Sequence, residues 1–326
     1  MGVLDWIKGT RRKPVAARGG GPPGGSARYE ITAGLIFING RDFVGSYSRS
    51  PNGRFVLAWR DANDAGTRGG ARANGHGRYM LIDGDAIVAE GRVERPNDGK
   101  VADTGVFILN DWLFFSERLA GVFLAFRKDG TQILSRRFEA NLYNNGLSHD
   151  GRIAVCQTCN AEGADSSKLT IFDLDAAREI ASVTPESGWA RDYAFPADHQ
   201  TIELCYDGDA RYAYDLNGGF VDRSRWIAAG LARGDVYLIQ RLMAADSNSS
   251  AQADPSHWIA GLTVALADDQ QDPRLRALAL KLRGTYHEQA GAPGEALRDF
   301  DAALAIDPKI GVKRRADALR RSQAGG

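Results

Sequence analysis

Four times between Ser50 and Tyr206 a polar turn runs directly into an apolar strand. Ser50-Pro51-Asn52-Gly53-Arg54 leads into FVLAW, Asp103-Thr104-Gly105 into VFIL, Ser148-His149-Asp150-Gly151-Arg152 into IAVCQ, and Ala197-Asp198-His199-Gln200 into TIELCY. Counted between Gly53, Gly105, Gly151 and His199, the intervals are 52, 46 and 48 residues. Each strand is followed by a hairpin with an acidic or glycine-bearing tip: YMLIDGDAIVAEG, FLAFRKDGTQILS, LTIFDLDAAREIA and YAYDLNGGFVDRS. Strand, turn and strand at such a period describe repeated antiparallel sheets. One sheet of this kind cannot bury both faces alone, so the copies must stack around an axis.

The Ser-x-Asn/Asp-Gly-Arg turn before a strand resembles the repeats of bacterial propellers of the WD-repeat-like and quinoprotein-like kind, over about 200 residues. The Gly-His and Trp-Asp dipeptides that mark true WD repeats are absent from the matching places. The resemblance implies a propeller-like β domain over residues 29–228. It has four blades, or five if ITAGLIFING from Ile31 forms one, and so few blades point to a ring that is open or incomplete. The helical segment that follows is the expected cover for the strand edges that an open ring exposes.

After Trp226 the apolar period becomes helical, which predicts an α-helical domain over 229–326. Helices are expected at Val236 to Met243, His257 to Ala267, Pro273 to Gln289, Pro293 to Ile306 and Gly311 to Arg321. Asp254-Pro255, Asp272-Pro273 and Ala292-Pro293 supply three of the starts. Gly284, Gly291, Ala296, Phe300, Ala303 and Pro308 resemble a tetratricopeptide repeat spanning about 277–310. Small residues at Gly284, Ala296 and Ala303 let two helices approach, Phe300 fills the gap, and Pro308 ends the second helix. Leu280 stands where that family has Trp, and His287 where Tyr is usual. The resemblance implies that Lys281, Thr285, Glu288 and Gln289 face a groove for a protein partner. The basic last helix, with Lys313, Arg314, Arg315, Arg320 and Arg321, reads as a solvating end cap.

Residues 1–28 form a basic leader and a Gly/Pro linker. Val3, Leu4, Trp6 and Ile7 are its apolar residues, and Lys8, Arg11, Arg12, Lys13, Arg18 and Arg28 outweigh Asp5. No apolar core of a signal peptide follows the arginines. Over the whole chain 41 Lys and Arg balance 41 Asp and Glu, which disfavours a nucleic-acid or anionic-membrane coat. No run of residues is long and apolar enough for a membrane helix. Three cysteines argue against a disulfide framework, and a cytoplasmic setting is expected.

No catalytic constellation is expected. Cys156-Gln157-Thr158-Cys159, with His149 and Cys205, is the one candidate for a metal or redox site. Thiols three apart on an extended strand point to opposite faces, so their expected role is as small core residues. No H-E-x-x-H, G-x-S-x-G or P-loop is present. The Asp61 to Arg78 stretch is rich in Arg and Gly but has no interleaved aromatic before Tyr79, and reads as a surface loop. The expectation is therefore a protein-binding scaffold without cofactor, in one form a bacterial inhibitor or immunity protein that covers a toxin or enzyme. The alternative is an enzyme or small-ligand receptor using the propeller's axial channel.

Overall fold

The computed structural model describes residues 28–61, 76–113, 119–246, 254–268 and 270–324. The basic leader, apart from Arg28, and most of the Asp61 to Arg78 loop lie outside the described residues. Internal contacts divide the chain into two compact units, one ending at Val221 and the other beginning at Asp222.

The first unit contains four antiparallel sheets among its described residues. The first has six strands in sequence order: β1 (Tyr29–Thr32), β2 (Leu35–Ile38), β3 (Phe43–Arg49), β4 (Phe55–Arg60), β5 (Gly77–Asp83) and β6 (Ala86–Val93). The second is β7 (Pro96–Val101), β8 (Phe107–Asp111), β9 (Gly121–Phe126) and β10 (Gln132–Phe138). The third is β11 (Leu142–Leu147), β12 (Ile153–Thr158), β13 (Leu169–Asp173) and β14 (Arg178–Val183). The fourth has three strands, β15 (Asp192–Ala194), β16 (Thr201–Cys205) and β17 (Arg211–Asp215). Beyond β17 the chain folds back, with Asp215 N–H donating to the Gly219 carbonyl and Val221 N–H to that of Ala213.

Alternation along the strands explains the stacking. On β4, Phe55, Leu57 and Trp59 join Phe107, Leu109, Leu124 and Phe126 of the second sheet in one core. The next core pairs Ile108, Phe123 and Ala125 with Leu142, Ala154, Cys156 and Phe172 of the third sheet. The third pairs Val155 and Ile171 with Tyr193, Ile202 and Leu204 of the fourth. FVLAW and IAVCQ read as unbroken apolar runs because both of their faces are covered. β3 of the first sheet and the first strands of the other three lie side by side, β7 along β3, β11 along β7 and β15 along β11. This is a propeller-like arrangement, and the ring does not close.

The first sheet shows how the open end is handled. Val56, Ala58, Met80 and Ile82 point away from the second sheet, and Ile36, Ile38 and Phe43 cover them. Ile31 to Gly40 is thus the β1–β2 hairpin and its turn, continuous with the first sheet, and not a fifth blade. β3 serves both parts: Phe43–Gly45 pairs with β2, and Ser46–Arg49 with β4. At the crossover a Cβ on Gly45 would come within 2.2 Å of the Trp59 carbonyl oxygen, so only glycine fits.

The second unit has six helices among its described residues: α1 (Arg223–Ala232), α2 (Val236–Asp246), α3 (Pro255–Leu266), α4 (Pro273–Gln289), α5 (Pro293–Ile306) and α6 (Lys313–Ala324). α1 is not among the helices expected from periodicity. Asp254 caps α3 through Ser256 N–H at 2.9 Å, and Asp272 caps α4 through Arg274 and Leu275 N–H at 2.8 and 3.2 Å. Gly284 of α4 lies against Phe300 of α5, where a Cβ would meet the ring at 2.7 Å. Ala296, Phe300 and Ala303 are fully buried at this crossing.

Candidate interaction surface

The recurrent turns build one end of the sheet stack. In the first, Ser50 Oγ donates to Asn52 Oδ1 at 2.7 Å and accepts from Phe55 N–H at 2.9 Å, while Asn52 Oδ1 accepts from Arg54 N–H at 3.0 Å. Ser148, Asp150, Arg152 and Ile153 repeat that pattern at 2.7, 3.0 and 3.1 Å. Gly53 and Gly151 have φ of 73° and 79°, the left-handed region that favours glycine. In the fourth copy the corresponding residue is His199, at φ 51°.

Successive turns are also joined to one another. Asn52 N–H donates to Asp103 Oδ1 at 2.8 Å, and Asp103 N–H to the His149 carbonyl at 2.8 Å. Thr104 Oγ1 donates to the Asp150 carbonyl at 3.1 Å, and Asp150 Oδ2 lies 3.1 Å from His199 Nε2. The repeat is thus also a seam that ties all four sheets together.

The opposite end carries exposed aromatics. Tyr143, near the start of β11, and Trp189, before β15, are 43% and 46% exposed, with ring centroids 5.9 Å apart. Trp189 is held on three sides. Its Nε1–H donates to the Thr158 carbonyl at 3.1 Å. Gln157 grips both neighbours, donating to the Gly188 carbonyl at 3.1 Å and accepting from Ala190 N–H at 3.0 Å. Asn144 Nδ2 donates to the Ala190 carbonyl at 2.7 Å, and the buried Tyr193 hydroxyl donates towards Asn144 Oδ1 and Gln157 Oε1 at 2.8 and 3.1 Å. Burial pushes the Tyr193 phenol well above its ordinary value, so it stays a neutral donor.

The ridge continues onto the second sheet. Trp112 Nε1–H donates to the Leu142 carbonyl at 2.7 Å, and the Arg95 guanidinium lies 5.5 Å from the Trp112 ring centre. Beneath it the Asp111 carboxyl accepts from the Arg95 and Glu94 amides, yet burial pushes its pKa up to about 6. None of Tyr143, Trp189, Asn144 and Gln157 is singled out by sequence motif. The available signal is Gln157, a long amide directly after the apolar run IAVC in a strand.

The sequence-expected site residues are distributed as follows. Cys156 is fully buried on β12, with Sγ 3.7 Å from Asn110 Oδ1, whereas Cys159 and Cys205 are half-buried; all three thiols are free. Burial raises the pKa of all three, which keeps them as thiols. His149 is exposed and enters the seam through its carbonyl. Among the described residues no three His, Cys, Asp or Glu side chains are grouped to hold a metal ion.

In the second unit, Lys281 Nζ donates to the Ile310 carbonyl at 3.1 Å. Thr285 is buried and accepts from Arg315 Nη1 at 3.0 Å, and Glu288 is paired with the same arginine. Gln289 is exposed. Arg315 of α6 therefore occupies the α4 face that carries Thr285 and Glu288. Elsewhere on α4, Arg283 clamps the buried Asp299 with two hydrogen bonds of 2.9 and 2.7 Å.

No protein-family model matches the chain, and no curated protein matches it. Among solved structures it is similar to the C-terminal WD40 domain of Sif2, with 11% identity and a TM-score of 0.37, over 59% of this chain and 50% of that one. It is also similar to Kluyvelomyces marxianus Hsv2, with 7% identity and a TM-score of 0.36, over 56% of each chain. The chain thus spans about half the length of these structures. The propeller-like arrangement rests on the strand order and interleaved cores described above.

Proposed function

We propose that the chain is a protein-binding scaffold whose first unit docks a partner on the Tyr143–Trp189 ridge. The observation that carries this reading is the fixing of Trp189, through its indole and both neighbouring peptides, with nearly half its surface left in solvent. Aromatic anchors on a rigid backbone lose little entropy on binding and are enriched among residues that dominate interface energies. Co-purification from the native host with the tagged chain, compared with the Tyr143→Ala/Trp189→Ala variant, tests it. The expected result is a stoichiometric protein partner whose affinity falls at least about tenfold in the variant, roughly the effect of one hot-spot residue. Recovery of no such partner, or equal binding by a folded variant, overturns it.

A more specific form is a bacterial inhibitor or immunity protein acting in the cytoplasm. It requires the recovered partner to be an enzyme or toxin whose activity the purified chain blocks. The tetratricopeptide resemblance supports a second docking face around Lys281, Thr285, Glu288 and Gln289, reached only if Arg315 releases Thr285 and Glu288. Arg315→Ala is expected to strengthen any binding there.

The second reading is a small polar ligand among the inner strands. It is favoured by the side chains of Asn110 and Asn145, which are 0% and 1% exposed. Asn110 Nδ2 and both polar atoms of Asn145 have no hydrogen-bond partner. A rise in melting temperature with a panel of nucleotides or metal ions, abolished by Asn145→Ala, would select it.

A further inference from the structure

The hairpin that caps the first sheet has an apolar outer side of its own. Leu35, Phe37 and Val44 are 40%, 37% and 44% exposed, on the side opposite the buried Ile36, Ile38 and Phe43. Phe37 is the register partner of Val44, and on its other side of Glu30, so these side chains form one ladder across β1, β2 and β3. Contiguous exposed apolar side chains of this kind mark a contact surface.

We propose that this ladder is the docking site of the chain's own N-terminal segment, through Val3, Leu4, Trp6 and Ile7. Three observations select this occupant. The segment joins the body at Arg28, next to Tyr29 of β1. A tether as long as the roughly 20 residues between Ile7 and Arg28 has a reach of about 25 Å, which includes the whole hairpin and gives an effective concentration near the millimolar range. The ladder is also flanked by charges of both signs, Glu30 and Asp42 with Arg28 and the part-exposed Arg41, and the two carboxylates offer partners to Lys8, Arg11, Arg12 and Lys13, which follow Ile7 closely in sequence. In this docking the apolar residues would cover the ladder and the basic residues would pair with Glu30 and Asp42.

Photo-crosslinking of the full chain tests this, with Trp6→p-benzoylphenylalanine as the probe and peptide mapping as the readout. The expected result is an intramolecular link to residues within 29–46, in monomer, at a yield reduced at least about fivefold by Val44→Glu. Val44 is on the exposed side, so that variant keeps its fold, as an unchanged melting temperature checks. Links elsewhere in the chain, links between two chains, no link, or a yield insensitive to Val44→Glu would each overturn the proposal.

Discussion

His199 Nε2 lies 3.1 Å from Asp150 Oδ2, joining the turn of the fourth sheet to that of the third. His199 stands at φ 51°, where Gly53 and Gly151 stand in the equivalent turns. An imidazole replaces conformational ease with a cross-sheet contact. Asn52 performs within its own turn the work that Asp150 performs in the third, so Asp150→Asn preserves that turn and removes only the charge facing His199. Both side chains are about one-third exposed, and the expected cost is about 0.5–1 kcal/mol by equilibrium denaturation. His199→Ala loses the same contact, and the double variant is expected to show coupling of similar size.

Ser50 and Ser148 each satisfy a strand-opening amide and an Asx side chain from a buried position. Ser50→Ala and Ser148→Ala are each expected to lower stability by about 1–3 kcal/mol, since each leaves a buried N–H unpaired. Because the two turns share one geometry, the two losses should agree within measurement error. A loss at only one site would show that the turns are not equivalent.

Two carboxylates give opposite pH responses. Asp83 accepts from Arg54 at 2.8 and 2.9 Å and from Lys128 at 2.6 Å, and the Arg54 and Lys128 hydrogen bonds hold its pKa at about 2. A folded-state pKa below the unfolded value near 4 means that its contribution is full above about pH 4 and is lost as pH falls towards 2. Arg54 is more than half exposed, so screening reduces the contribution to about 1 kcal/mol. Asp111 lies on the other side: with a pKa raised to about 6, its effect on stability worsens as pH rises from about 4 to 6. Denaturation from pH 2 to 7 should show the first slope vanish in Asp83→Asn and the second in Asp111→Asn.

Gly284→Ala forces a methyl to within 2.7 Å of the buried Phe300 ring and 3.1 Å of the Ala296 carbonyl. Overpacking of about 1–3 kcal/mol is offset in part by the helix propensity gained, about 1 kcal/mol. A net loss of up to about 2 kcal/mol in thermal denaturation is expected. Gly291→Ala tests a different term, since φ 72° strains any side chain although the space around it is open.

The four-sheet arrangement and its turns are legible in the amino-acid sequence because their causes are local. In the first and third turns a serine, an Asx and a left-handed glycine close the loop through hydrogen bonds spanning about five residues, and in all four the apolar strand follows at once. The α4–α5 crossing is legible for a similar reason, since Gly284, Ala296, Phe300 and Ala303 recur at helical spacing. α1 is not, because Gly230 and its arginines break the apolar period.

The tertiary structure alone decided what meets across long separations. Gln157 reaches Gly188 and Ala190, more than 30 residues away, and with the indole and Asn144 hydrogen bonds that clamp makes Trp189 a fixed anchor. Arg315 covers Thr285 and Glu288, which the tetratricopeptide resemblance places in a groove. The β1–β2 hairpin folds back over Val56, Ala58, Met80 and Ile82 because the ring does not close and apolar faces must be covered. Periodicity states which faces are apolar, and only packing determines what each one finds.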